Sequence, residues 1–281
     1  MNPRLQEYLA AAEKSITRKS VNYRGRVHVG VDLGTAYTSI FVLDDDLQPL
    51  VGTYRYAEIV RDGLVVDFAG AVSLVRELKQ QMEHKLGFEL TSAATAYPPG
   101  VPMGEVRATR YVLEAAGLNC SAAVDEPTAA NAVLNVDNGA VVDIGGGTTG
   151  IAIIRDGEVI YTADEATGGT HFSLVIAGAQ KISFDEAEAK KINVKEQAIL
   201  FNVVRPVMEK VGSIISRHIQ DHPVDVIYLV GGTSAFIGIA GVIEKVTGVK
   251  TVVPGNPLFV TPLGIAMHDQ TVSEEEDTYG R

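Results

Sequence analysis

Tryptophan is absent from this 281-residue chain, and cysteine occurs once, as Cys120. One thiol excludes an intrachain disulfide framework and an all-cysteine metal site. Basic residues are outnumbered, with 24 Lys and Arg against 35 Asp and Glu and a formal net charge of −11. That balance argues against nucleic acid as a main partner, because phosphate backbones are gripped by basic stripes. No apolar run reaches the roughly 18 residues that a membrane span needs, and no leader pattern opens the chain, so a cytosolic protein without membrane attachment is expected. Histidine is sparse. His218 and His222 have the spacing of a helical metal pair, but Pro223 follows and no third ligand accompanies them, so an exposed helix end is expected there rather than zinc.

What remains is an ordinary globular composition, 46% hydrophobic and 21% charged, on a chain long enough for one large domain or two modest ones. Two aspartates organise it. Asp32 stands in Val29-Gly30-Val31-Asp32-Leu33-Gly34-Thr35, and Asp143 in Val141-Val142-Asp143-Ile144-Gly145-Gly146-Gly147-Thr148-Thr149. Each closes an apolar run, enters a glycine turn and is followed by a second apolar run, Ser39 to Leu43 and Ile151 to Ile154. A strand, turn and strand of this kind exposes backbone N–H groups to phosphate oxygens and places a carboxylate where it can hold hydrated Mg²⁺. One such turn is common; two, 111 positions apart, indicate duplicated α/β halves facing each other across a nucleotide cleft.

The first 26 residues differ from the body, with six basic side chains against Glu7 and Glu13. Leu5, Tyr8, Leu9, Ala12 and Ile16 fall at helical spacing, which predicts an amphipathic helix on a polar linker, either loosely docked or serving as a docking helix for a partner or shell. The first domain is placed at 27–138, rejoined by a C-terminal helix at about 262–271; the second spans 139–261, and an acidic tail expected to be disordered covers 272–281. Turns are expected at Asp62-Gly63 and Asp137-Asn138-Gly139, and a long helix from Glu196 to Asp221 is expected to be interrupted at Pro206.

The segments GVDLGTAYTS, DEPTAANAVL, VVDIGGGTTGIAII and IYLVGGTSAFIG resemble, in that order, the first phosphate, first connection, second phosphate and adenosine motifs of the actin/Hsp70/sugar-kinase ATPase superfamily. Four ordered motifs over about 210 residues are far more specific than one glycine turn. IVRDGLVVDFAGAV and ADEATGGTHFSLVIAGAQKISFDEAEAKK are similar to the EutJ family of bacterial ethanolamine utilisation. The resemblance implies an actin-like, ribonuclease H-like pair of domains around an ATP or ADP cleft, with reduced peripheral subdomains. It implies a chaperone-like or reactivating factor for ethanolamine ammonia-lyase, associated with a bacterial microcompartment. The alternative is a non-hydrolysing or polymerising actin-like scaffold of that compartment; oligomeric state is left open.

Within that frame Asp32 and Asp143 are the expected Mg²⁺ carboxylates, acting through water. Gly34, Thr35 and Ala36 are expected on one side of the phosphate tail, and Gly145, Gly146, Gly147 and Thr148 on the other, with Thr148 at the family's γ-phosphate position. Glu126 matches the carboxylate that orients the attacking water; a helix-start acid favoured by the dipole is its other reading. Gly231, Gly232 and Thr233 match the adenosine segment. Glu188 and Lys191 match the Glu-x-x-Lys helix that packs on ribose and adenine, or else form a solvated face of paired charges. Two departures from the superfamily stand out. The lobe Hsp70 inserts near Asp62-Gly63 is missing together with its phosphate-contacting lysine, and only 36 residues separate Gly169 from Pro206. A shallow cleft, weak affinity and slow hydrolysis are expected from this, with no substrate-binding domain expected after residue 281 and any chaperone action left to the ATPase body. A small-molecule kinase lacks a catalytic base here, and an iron–sulfur activator is disfavoured by a single cysteine.

Overall fold

The computed structural model describes residues 3–61 and 64–270. The turn expected at Asp62-Gly63 and the acidic tail lie outside the described residues. After α1 (Pro3–Thr17), the chain builds β1 (His28–Leu33), β2 (Tyr37–Leu43), β3 (Pro49–Tyr56), the short strands β4 (Val60–Arg61) and β5 (Leu64–Val65), α2 (Phe68–Leu86), β6 (Ser92–Tyr97), α3 (Met103–Ala115), β7 (Asn119–Asp125) and α4 (Glu126–Leu134). The plan then repeats as β8 (Gly139–Ile144), β9 (Thr149–Arg155), β10 (Glu158–Glu165), α5 (Gly169–Gln180), α6 (Phe184–Ile192), α7 (Val194–Gln220), β11 (Val226–Val230), α8 (Ile239–Thr247), β12 (Lys250–Val252) and α9 (Val260–Met267).

Two five-stranded sheets result, in the matching orders β3-β2-β1-β6-β7 and β10-β9-β8-β11-β12. In each, an antiparallel meander supplies three strands and two further strands join parallel to the first. β1 and β8 are central in their sheets, which is why they read as continuous apolar runs: a strand covered on both faces has no polar alternation. Every residue of β8 is buried, Asp143 included. Each lobe has its own core, and a third apolar cluster lies between the sheets. There α4 and α9 contribute Ala130, Val260, Leu263 and Ala266 against Phe41 and Leu43 of one sheet and Val141 and Val230 of the other.

Local signals set the ends of these elements. Asp67 caps α2 by accepting from Gly70 N at 2.9 Å, and Gly87 ends it in the left-handed region. Asp125 caps α4 in the same way, accepting from Thr128 N at 3.0 Å, and Pro127 occupies the first turn, where a missing N–H costs nothing. Ser183 and Glu186 form a capping box at the start of α6.

Two expectations fail. The helix does not stop at Pro206: α7 runs through it. Pro206 and Asn202, whose carbonyl loses its partner, are exposed, so water can replace the lost bond. Val204, Val207, Met208 and Val211 hold the opposite face in the second core. The N-terminal helix is also not loosely docked. Leu9 and Ala12 are buried in the inter-sheet cluster, Tyr8 donates to Leu47 O at 2.8 Å, and Lys85 Nζ bonds Ile16 O at 2.9 Å. Arg18 donates to the carbonyls of Pro49 and Leu50 at 3.0 and 2.8 Å. The buried residues of the amphipathic face are spent inside the molecule.

Candidate nucleotide site

A cleft of about 410 Å³ opens between the two sheets. Asp32, Gly34, Thr35, Ala36 and Glu126 line it from the first lobe, and Asp143, Gly145 to Thr148, Glu188, Lys191 and Gly231 to Thr233 from the second. Every residue picked out by sequence is therefore brought to one cavity, of a volume suited to a small-molecule ligand.

Both glycine turns are closed in the same way. Gly34 N donates to Tyr37 O, and Gly145 N to Thr148 O, each at 3.0 Å. The carbonyl of Gly145 is held by Gly169 N at 2.9 Å and by the Thr233 hydroxyl at 2.7 Å, and that of Gly146 by Thr170 N at 2.8 Å. A trans peptide sets its N–H opposite its C=O, so these bonds turn the N–H groups of Gly146 and Gly147 away from the 168–170 segment. The two turns almost touch. A Cβ added to Gly146 would lie 2.9 Å from that of Ala36.

Asp32 is the last but one residue of β1 and Asp143 that of β8, so the pairing that builds each sheet also delivers its carboxylate to the cleft. Burial, with the charge of Asp143 as a lesser contribution, pushes the Asp32 carboxyl up to about 7. Burial raises Asp143 to about 6; the Thr261 hydroxyl, donating to its Oδ2 at 2.5 Å, opposes that rise, and Asp164 adds to it. Glu126 is raised well above the usual carboxylate range by burial and then by Asp143, Asp32, Asp164 and Asp125. Gly231, at φ +83°, backs the other Asp143 oxygen: a Cβ there would stand 2.2 Å from Oδ1.

A cluster of like charges in a recess is costly unless a cation or protons neutralise it. An all-oxygen, acidic donor set fits a hard divalent cation. Among the described residues no group of three or more His, Cys, Asp or Glu side chains is arranged to hold a metal directly. Mg²⁺ sheds its water reluctantly, so a few carboxylates suffice to hold it through its water shell.

The Glu188–Lys191 pair is not a solvated face. The two side chains meet at 2.7 Å and are only 11% and 10% exposed; Lys191 also donates to Gly169 O at 3.2 Å, and Ser173 donates to Glu188 at 2.6 Å. The i to i+3 spacing was legible, but the enclosure by α5 was not. Burial lowers the Lys191 ammonium despite its partner. Tyr37 and Tyr54 face this pair across the cleft, their rings edge to face at 5.6 Å. His218, expected at an exposed helix end, is instead held by Tyr161 at 2.7 Å and Glu165 at 3.0 Å. Sequence reasoning missed Thr261, which lines the cleft, and Asp164, whose charge acts on Asp143 and Glu126; neither carries a motif, and both are brought there only by tertiary folding.

Comparison with known proteins bears on the fold and the family. The family described as type IV pilus assembly protein PilM matches residues 108–278. The chain is 41% identical over 276 residues to the ethanolamine utilization protein EutJ of Salmonella typhimurium, covering 98% of this chain and 95% of that protein. It superposes on the crystal structure of EutJ from Carboxydothermus hydrogenoformans with a TM-score of 0.89 and 45% identity, covering 94% of this chain and 98% of the other. MreB5 of Spiroplasma citri, solved bound to AMPPNP, shares the fold at a TM-score of 0.69 and 17% identity over 89% of this chain and 97% of its own. Near-complete coverage at this identity, on an actin-like ATPase fold with the paired aspartate turns in place, shows that the chain belongs to the EutJ family of ethanolamine utilization proteins.

Proposed function

We propose that this protein binds Mg·ATP or Mg·ADP in the inter-sheet cleft and acts in ethanolamine utilisation as a nucleotide-switched, chaperone-like or reactivating factor for ethanolamine ammonia-lyase. The observation that carries the reading is the meeting of Asp32, Asp143 and Glu126 with both glycine turns in one cleft. Asp32 and Asp143 would hold the waters of Mg²⁺, while the N–H groups of the two turns would bind phosphate oxygens. When bound, Mg²⁺ supplies neutralisation of phosphate charge. Glu126 sits at the first turn of α4, where it can orient a water and accept its proton once a cation offsets the neighbouring carboxylates. Gly231 and Gly232 let backbone approach the sugar, with Glu188 and Lys191 along the ribose and base.

A nucleotide can switch the protein only by favouring one lobe angle over another. The turns that nearly touch, Gly146 against Ala36, belong to different lobes, so a phosphate tail between them would act on that angle. The antiparallel pair of β4 and β5 stands where Hsp70 carries a larger lobe, which supports weak binding and slow turnover.

The test is recovery of activity by ethanolamine ammonia-lyase inactivated during turnover. Recovery with this protein and Mg·ATP, lost in Asp143→Ala, supports the proposal. No recovery, with Mg·ATP-dependent sedimentation of this chain alone, favours the polymerising scaffold.

A further inference from the structure

The hydrogen bond between Thr261 and Asp143 joins the first turn of α9 to the end of the second sheet's central strand. Thr261 lies in the first turn of α9, is 4% exposed, and donates from Oγ1 to Asp143 Oδ2. Its helix belongs physically to the first lobe: α9 packs on β1, β2, β6 and α4. Its far end is fastened there too, because Asp269, just beyond it, accepts from Val29 N at 2.9 Å and from the hydroxyls of Ser92 and Ser121. Asp143 belongs to the second sheet. The bond therefore crosses from the lobe that carries Asp32 to the carboxylate of the opposite lobe. Its acceptor has little freedom, because Gly231 lies so close behind Oδ1 that a Cβ there would stand 2.2 Å from it.

We propose that Thr261 is a positioning residue that aims the Asp143 carboxylate at the divalent cation and ties the state of that cation site to α9, and so to the angle between the lobes. The proposal deepens the nucleotide-site reading and rests on it. The hydroxyl engages Oδ2 and so fixes the rotation of the carboxyl group, which would hold the waters of a bound cation. A Val side chain has the same shape and no donor, so it would keep the packing of α9 and release the carboxylate. Because α9 is clamped to β1, any shift of Asp143 toward a bound cation is transmitted through this bond to the helix lying against the Asp32 strand.

The experiment is calorimetric titration of ATP into full-length wild type, Thr261→Val and Thr261→Ser, each with Mg²⁺ and with EDTA. The quantity read is the ratio of the two affinities. The expected result is a loss of about tenfold in that ratio for Thr261→Val, with recovery to within about twofold in Thr261→Ser, which keeps the donor. An unchanged ratio in Thr261→Val overturns the proposal. So does an equal loss with and without Mg²⁺, which marks a packing role. If Thr261→Val does not fold, Thr261→Ser and Thr261→Ala are compared in the same way, and equal ratios overturn it. Absence of Mg²⁺-dependent binding in wild type itself would instead remove the nucleotide-site reading, and this inference with it.

Discussion

Lys191 donates to Glu188 at 2.7 Å inside the cleft wall, and neither side chain is more than about one-tenth exposed. The pair is held by its surroundings, since Ser173 donates to the same Glu188 oxygen and Lys191 reaches Gly169 O. Removing one partner leaves the other charge buried alone. Lys191→Met is expected to cost about 3–5 kcal/mol in urea unfolding, and the double variant Glu188→Leu/Lys191→Met to recover most of it. Both variants should weaken ATP binding if the pair contacts ribose. Wild-type affinity in the stable double variant would confine the pair to a structural role.

The carboxylate cluster makes stability depend on pH. Asp32 near 7 and Asp143 near 6 bind protons more tightly in the folded state than an ordinary carboxylate near 3.8 does when unfolded. Between about pH 4 and 7 the folded state thus holds more protons, and stability falls as pH rises through that window. These midpoints belong to the cluster as a unit. In EDTA the Tm is expected to drop by roughly 3–8 °C from pH 5 to 8. Asp32→Asn should raise the Tm at pH 8 and change it little at pH 5. A flat profile in the wild type, or a variant that shifts both ends equally, contradicts this assignment.

Glu126 separates binding from hydrolysis. Glu126→Gln is expected to bind Mg·ATP within about threefold of wild type and to hydrolyse it at least about 100-fold more slowly. Single-turnover measurement decides this, and loss of binding would make Glu126 a structural acid at the start of α4.

The N-terminal helix contributes to the fold. Leu9 is 1% exposed in the cluster between the sheets, so Leu9→Ala is expected to cost about 2–5 kcal/mol. A change below about 0.5 kcal/mol in chemical denaturation would return the helix to the loosely docked state.

The turns at Gly34 and Gly145 were legible in the sequence because their chemistry is local: an apolar run, a carboxylate and glycines are all the information a phosphate turn contains. Thr261 was not legible, because its partner lies 118 positions away and VTPLG reads only as a helix start. Asp164 was hidden within a polar strand end for the same reason. The amphipathic pattern of residues 5–16 gave the helix, but an apolar stripe does not name what covers it; Phe41 and Phe259 do so only in three dimensions. Pro206 misled because exposure decides the cost of a missing N–H, and exposure on a helix depends on what packs around it.

The central claim is a Mg²⁺-dependent nucleotide site built on Asp32 and Asp143. Its most direct test is calorimetric titration of the full-length protein with ATP and ADP, with and without Mg²⁺, alongside Asp143→Ala. The account predicts saturable binding that strengthens with Mg²⁺ and vanishes in the folded variant. No heat of binding to wild type at millimolar nucleotide, or equal binding by Asp143→Ala, would contradict it.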